Sequence, residues 1–293
     1  MSVWQPQVAL WVRTACLMEV LSPKPGNVAP GAEFADASIR DFLRSAEAIA
    51  SPMSLAGTRP LGETILSSVA ATRSVVSHNT NLGIILLIAP LAAIPPEQSL
   101  FDGITDILNA TTVEDSVLVY RAIRMAQPAG LGEVPDQDLQ QQPTVNLVDC
   151  MRLASDRDMI ALQYASGFHQ VLDCGLGWLR EAASMTSCQA TQIAWLATRL
   201  MAEYGDSLIA RKCGDEMSDL VRLKAQAVLE SEWPVRTDSA TAFADFDSFL
   251  RSDGHRLNPG TTADFVAAIL FASLREGWIV PDETWTLAEA AVE

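Results

Sequence analysis

Three basic side chains sit in glycine-punctuated turns of an otherwise acidic chain, and these are where charge-dependent chemistry is most readily placed. Lys24 lies in Glu19-Val-Leu-Ser-Pro-Lys-Pro-Gly-Asn27. Prolines on either side hold φ at about −65°, and Gly26 permits a tight turn. The result is a stiff corner that fixes one cation just after a helix bearing the carboxylate of Glu19. Ordinary helix termination by proline explains the same residues equally well.

Three further polar islands interrupt the apolar pattern. In His78-Asn-Thr-Asn-Leu-Gly83, Asn79, Thr80 or Asn81 can cap the helix that follows. Gly83 falls in its first turn, where glycine costs up to ~1 kcal/mol against alanine. That cost makes sense where something approaches the backbone closely. Tyr204-Gly-Asp-Ser-Leu-Ile-Ala-Arg-Lys-Cys-Gly-Asp-Glu216 reads as a short helix capped by Asp206 or Ser207. Arg211 and Lys212 fall in its last turn, where they complement the dipole or face a metal-bound polyphosphate. In His255-Arg-Leu-Asn-Pro-Gly-Thr-Thr-Ala-Asp264, Asn258 is kept extended by Pro259. Gly260 allows close backbone approach, and Thr261 with Asp264 fits a capping box. Such a helix start is either simply well capped or a ready anion site. Four islands in one chain predict a composite cleft, with Lys24, Asn79, Asp206 and Asn258 on its wall.

Composition narrows the classes. The 293 residues carry a net charge of −16, which disfavours nucleic acid and anionic lipid as partners. Five dispersed cysteines without a C-x-x-C pair read as reduced thiols, and with three histidines no zinc spacing appears. Any metal is therefore expected to be oxygen-ligated Mg²⁺. The opening MSVWQPQVAL does not resemble a signal peptide, and the most apolar stretch, 82–94, falls short of the ~20 residues a bilayer requires. A cytoplasmic location is expected, without membrane association.

The elements that position the islands are helical. Apolar residues recur at three- and four-residue spacing near 4–21, 36–50, 60–76, 81–94, 113–126, 149–184, 188–204, 215–231, 238–251 and 262–275. Alternating strand patterns are nearly absent. The expectation is an all-α multi-helix bundle with apolar central helices, one domain over residues 1–293. Pro128 to Asn146, rich in Pro, Gly and Gln, reads as a long connector.

Taken in order, P-K-P-G-N (23–27), N-T-N-L-G (79–83), D-S-L-I-A-R-K-C-G (206–214) and R-L-N-P-G-T-T-A-D (256–264) resemble the motifs of the triphosphoribosyl-dephospho-CoA synthase family. The resemblance implies an all-α transferase that joins C1 of the ATP ribose to an acceptor hydroxyl, releases adenine and serves prosthetic-group synthesis. The acceptor implied is 3′-dephospho-CoA. Family members of the citrate lyase pathway look like N-T-H-K-G where this chain has Asn79-Thr80-Asn81-Leu82-Gly83. The chain thus resembles a divergent branch, as do 115–124 and 163–168. That departure points to an altered acceptor, such as a precursor in the tetrahydromethanopterin or methanofuran pathway.

On this reading Lys24, Arg211, Lys212 and the Gly260–Thr261 backbone contact phosphate, and Asp206 and Asp264 hold Mg²⁺. Gly26, Asn79, Thr80, Asn81, Gly83 and Asn258 complete the substrate-binding set. Glu19 is the first choice of general base and Asp206 the second, with His255 assisting adenine departure or contacting a phosphate. The partners expected are ATP and a small acceptor, with homo-oligomerisation left open. A Mg²⁺-dependent prenyl-transfer enzyme would need D-D-x-x-D helices, which Asp245-Phe-Asp247 does not supply. A non-catalytic helical interaction protein would not require the islands. ATP with Mg²⁺ should raise the melting temperature by a few degrees in a thermal-shift scan; an unmoved transition would favour the interaction protein.

Overall fold

The structure, a computed structural model, describes residues 4–34, 36–128, 139–282 and 285. Among them are fourteen α-helices and no strand beyond two isolated bridges. They are α1 (Trp4–Leu21), α2 (Ile39–Ser54), α3 (Leu61–Val75), α4 (Leu82–Ala93), α5 (Leu100–Asn109), α6 (Val113–Ala126) and α7 (Leu147–Arg152). After them come α8 (Met159–Ser166), α9 (Leu176–Met185), α10 (Gln189–Tyr204), α11 (Ser207–Cys213), α12 (Asp215–Glu230), α13 (Ala240–Arg251) and α14 (Gly260–Arg275). The expected all-α architecture is present. Most of the proposed connector, residues 129–138, lies outside the described residues. No helix is long and apolar enough to cross a membrane among those described.

Two helices lack a polar face and are therefore central. Every residue of α4, LGIILLIAPLAA, is buried, and α14 is buried from Phe265 through Leu274. A helix apolar all round has no side to give to solvent, so the amphipathic helices must enclose it. α1, α2, α3 and α6 join this main core, as do α8, α9 and part of α10. A smaller cluster forms where the end of α10 meets α11, α12 and α13, around Met201, Ile209, Val221, Phe246 and Leu250.

Pro90 lies inside α4. It has no N–H, so the carbonyl of Leu86, four residues earlier, loses its helical donor. The Tyr164 hydroxyl supplies the missing donor at 2.7 Å, from a ring that is 1% exposed. Burial raises the Tyr164 pKa, so the hydroxyl stays protonated and donating.

Two expectations need correction. The single helix over 149–184 is broken into α7, α8, a π-helical turn (Gln170–Gly175) and α9. Asp158 starts α8 by accepting from Ile160 N at 2.8 Å and Ala161 N at 3.1 Å. Gly167 and Phe168, with φ of 68° and 63°, end it. Helix α5 was not anticipated. Its Ser99 cap accepts from Asp102 N, but ten residues are too few for a decisive period.

Tyr164→Phe should cost about 1–2 kcal/mol, because the Leu86 carbonyl would be buried without a donor. Urea unfolding of the variant measures it; an unchanged midpoint would mean that the proline gap is otherwise filled.

Candidate functional site

The islands converge through direct contacts between residues far apart in sequence. Asn27 Nδ2 donates to Pro259 O at 3.4 Å, joining the first island to the fourth. Ser207 and Thr261 share a hydroxyl–hydroxyl hydrogen bond of 3.0 Å, joining the third to the fourth. Asp264 Oδ1 accepts from Ile84 N at 3.1 Å, joining the fourth to the start of α4. There Gly83 is required. A Cβ on it would lie 2.0 Å from Asp264 Oδ2, so any side chain would expel the carboxylate.

Asp206 is fully buried, and four donors fill its carboxylate. Oδ1 accepts from Leu208 N at 2.9 Å and Ile209 N at 3.1 Å, which caps α11. Oδ2 accepts from Thr262 N and Thr262 Oγ1, both at 2.8 Å. A carboxylate has about four lone-pair positions, so none remains for a metal or a substrate proton. The metal-ligand and second-base assignments of Asp206 therefore do not fit, and its duty is to clamp two helix starts. The same carboxylate serves the positive end of α14, where a phosphate was expected on the Gly260–Thr261 backbone. Asp264 likewise bonds to α4 rather than back to Thr261, so no capping box forms.

Lys24 is also committed. Its ammonium pairs with Glu19 Oε1 at 3.0 Å and donates to the carbonyls of Glu19 and Ser22, which uses all three protons. At 2% exposed it is shut off from solvent, so the phosphate-contact assignment does not fit. Gly26, at φ 71°, donates to Asp247 Oδ1 at 2.7 Å, and a Cβ there would meet Leu250 Cβ at 2.5 Å. Its role is to turn the chain against α13. Asp247 in turn holds Arg251, which donates to Asn27 O at 2.8 Å.

A small cavity, with room for about one water molecule, is lined by Cys16, Glu19, Phe42, Ala46, Thr80, Asn81 and Ile84. Most of these residues are buried, so it marks where the islands meet. Thr80 Oγ1 bonds to Ser45 Oγ at 2.6 Å. Asn81 is 5% exposed; its Oδ1 accepts from Thr72 at 3.1 Å while its Nδ2 has no partner. Asn79, at the exposed edge, accepts from Leu82 N at 3.1 Å and so supplies the cap expected of one of the three residues. Leu82 is buried.

Arg211 Nη1 pairs with Asp158 Oδ2 at 2.6 Å, while its buried Nε is unpartnered. Half-burial lowers the pKa of the neighbouring Lys212, opposed by Asp206. The Oδ1 of Asn258 and the Nε2 of His78 are also buried without a partner. Unpaired buried polar atoms are scarce in native proteins, and here four lie in the islands. His255 is exposed, 3.5 Å from Asp36 and beside Phe34. Asp36 in turn influences Lys212 of the third island.

Burial dominates the electrostatics. It raises the Glu19 pKa against the pull of Lys24, and lowers that of Lys24 against the pull of Glu19. Asp264 retains some solvent contact, yet its carboxyl group is walled in by α4. Desolvation, then the carboxylates of Glu19 and Asp206, push its pKa well above the usual range. Cys16 is pushed up for the same reasons. Among the described residues, no three His, Cys, Asp or Glu side chains gather as a ready metal cage. Mg²⁺ bound through phosphates needs one or two carboxylates. Asp264, which accepts from the Ile84 backbone at Oδ1 and repels Glu19, fits that need better than Asp206, whose four lone-pair positions are filled.

Sequence reasoning missed Asp158, Thr262 and Asp247. An Asp directly before the apolar Met159-Ile160-Ala161 was a legible cap signal. The other two take their roles from long-range contacts.

The family model for ATP:dephospho-CoA triphosphoribosyl transferase matches residues 5–281. No curated protein matches the chain significantly. Among solved structures, one from Archaeoglobus fulgidus, provisionally assigned as a triphosphoribosyl-dephospho-CoA synthase, is 25% identical with a TM-score of 0.65. The alignment covers 81% of this chain and 100% of that one.

Asp264 yields a test by pH. Its folded pKa lies above the ordinary 3.8, so the folded state binds the proton more tightly than the unfolded chain. Its contribution to stability is full below 3.8 and is lost as pH rises through the folded value. Asp264→Asn keeps the acceptor for Ile84 N and removes the charge. Urea unfolding from mildly acidic to mildly alkaline pH should show a smaller loss of stability in the variant. Equal losses would assign the titration elsewhere.

Proposed function

We propose that this chain, which belongs to the ATP:dephospho-CoA triphosphoribosyl transferase family, moves the triphosphoribosyl group of ATP to an acceptor hydroxyl and releases adenine. The observation that carries the reading is the convergence of the islands on one small cavity, lined by Glu19, which Lys24 supports, and by Asn81, whose amide nitrogen is unpartnered. Breaking an N-glycosidic bond passes through an oxocarbenium-like state, which needs negative charge near C1 and a base for the incoming hydroxyl.

Glu19 serves as that base. Its pKa is raised by burial, which strengthens it as a proton acceptor, and Lys24 keeps its carboxylate in place. Arg211 and Lys212 bind the triphosphate, Arg211 through the N–H groups that Asp158 leaves unused. Asn81, Thr80 and Asn258 orient the sugar and acceptor by hydrogen bonds. Asp264 would hold Mg²⁺, which when bound neutralises phosphate charge.

A second reading concerns the acceptor. Leu82 is buried and Asn81 presents an amide where citrate lyase pathway enzymes look like Lys and His. A lysine buried at position 82 would be desolvated, so the start of α4 favours a different contact. A precursor in tetrahydromethanopterin or methanofuran synthesis is the alternative to dephospho-CoA.

Purified protein given ATP, Mg²⁺ and each acceptor in turn should release free adenine, followed by chromatography. Adenine is diagnostic because kinases and ligases break phosphoanhydrides instead. ADP or AMP with some acceptor, and adenine with none, would overturn glycosyl transfer. Adenine with dephospho-CoA alone would remove the second reading.

A further inference from the structure

Residues 167–175, none of which lines the cavity beside Glu19, concentrate two irregularities. Gly167 and Phe168 have φ of 68° and 63°, and Phe168 is a fully buried non-glycine residue in the left-handed region. The π-helical turn Gln170–Gly175 follows at once. In an α-helix, side chains five apart diverge, whereas the wider π turn stacks them. Here it sets Cys174 beneath His169.

The three side chains form a relay. His169 Nδ1 is 2.7 Å from Asp173 Oδ2, and His169 Nε2 is 3.8 Å from Cys174 Sγ. An ionised carboxylate only accepts, so Nδ1 carries the imidazole proton and Nε2 is an acceptor turned to the thiol. Burial, followed by the neighbouring Cys174 sulfur, raises the pKa of Tyr204 at the end of α10, so the phenol stays protonated beside the thiol.

We propose that Cys174 is a reactive thiol, oxidised by small hydroperoxides, with His169 as its base and Asp173 as the residue that orients the imidazole. His169 Nε2 takes the thiol proton while sulfur attacks one peroxide oxygen. The S–O bond forms, the O–O bond breaks, and the departing hydroxide takes the proton from His169 to leave as water. Sulfur is oxidised by two electrons to a sulfenic acid, and the peroxide is reduced. This site stands apart from the proposed transfer reaction.

The other cysteines supply internal controls. Cys16 and Cys150 are buried. Cys213, like Cys174, is half-buried, but its thiol donates to the Arg256 carbonyl rather than to an imidazole. Cys188 is exposed, and hydrogen bonds from Thr191 lower its pKa. It should react independently of His169.

The test exposes the full chain to hydrogen peroxide with dimedone, which traps sulfenic acid, and quantifies each cysteine by mass spectrometry. Cys174 should gain adduct roughly tenfold faster than Cys213. His169→Gln and Asp173→Asn should each slow Cys174 several-fold and leave the Cys188 rate unchanged, which also reports an intact fold. Cys174 reacting no faster than Cys213, or at an unchanged rate in His169→Gln, would overturn the proposal.

Discussion

The carboxylate of Asp206 is the constraint on which the architecture of the site depends. One side chain satisfies the first turns of both α11 and α14, through Leu208, Ile209 and Thr262. Helix starts carry unpaired N–H groups and a positive dipole end, so two buried starts brought together need an anion. Asp206 provides it from within the chain. Its pKa is raised by burial despite those donors, which shows how completely water is excluded from the junction. An amide there would turn its own N–H groups toward at least one existing donor.

Around this clamp the protein buries more negative than positive charge. Glu19, Asp206 and Asp264 influence one another, and Lys24 neutralises Glu19 alone. Burying charge is costly unless it is paired and hydrogen-bonded. Asp206 meets that condition and Glu19 meets it through Lys24. Asp264 does so only in part, with one backbone donor and a repelling neighbour. The arrangement consequently favours the protonated form of Asp264. The unpartnered atoms of His78, Asn81, Arg211 and Asn258 mark where further polar groups are expected.

Irregularity elsewhere follows the same logic of local cost met by a distant partner. Pro90 breaks the ladder of α4, and Tyr164 repairs it from α8. Three residues beyond Tyr164 the chain enters the left-handed pair and then the π turn, whose last residue, Gly175, packs so closely on α14 that a Cβ would lie 2.4 Å from Ile269 Cδ1. The winding of this segment is thus fixed by the central helix.

The helical class, the apolar identity of α4 and α14 and the positions of the four islands were legible in the sequence, because periodicity and glycine or proline punctuation are local properties. The cap at Asp206 and the close approach at Gly83 were legible in type for the same reason. Partners were not. That Gly83 yields to Asp264, that Lys24 gives every proton to Glu19 and its neighbours, and that Asp206 reaches Thr262 are facts about contacts spanning five to 181 residues. Sequence chemistry therefore read Lys24 and Asp206 as ligand-binding charges, since isolated charges in turns look alike whether they face solvent or each other. Only the packing of α1, α4, α11 and α14 decided which charges are consumed internally, as at Lys24 and Asp206, and which keep an unpaired atom, as at Arg211. The physical reason is that hydrogen-bonding capacity is finite, and the fold determines what fills it.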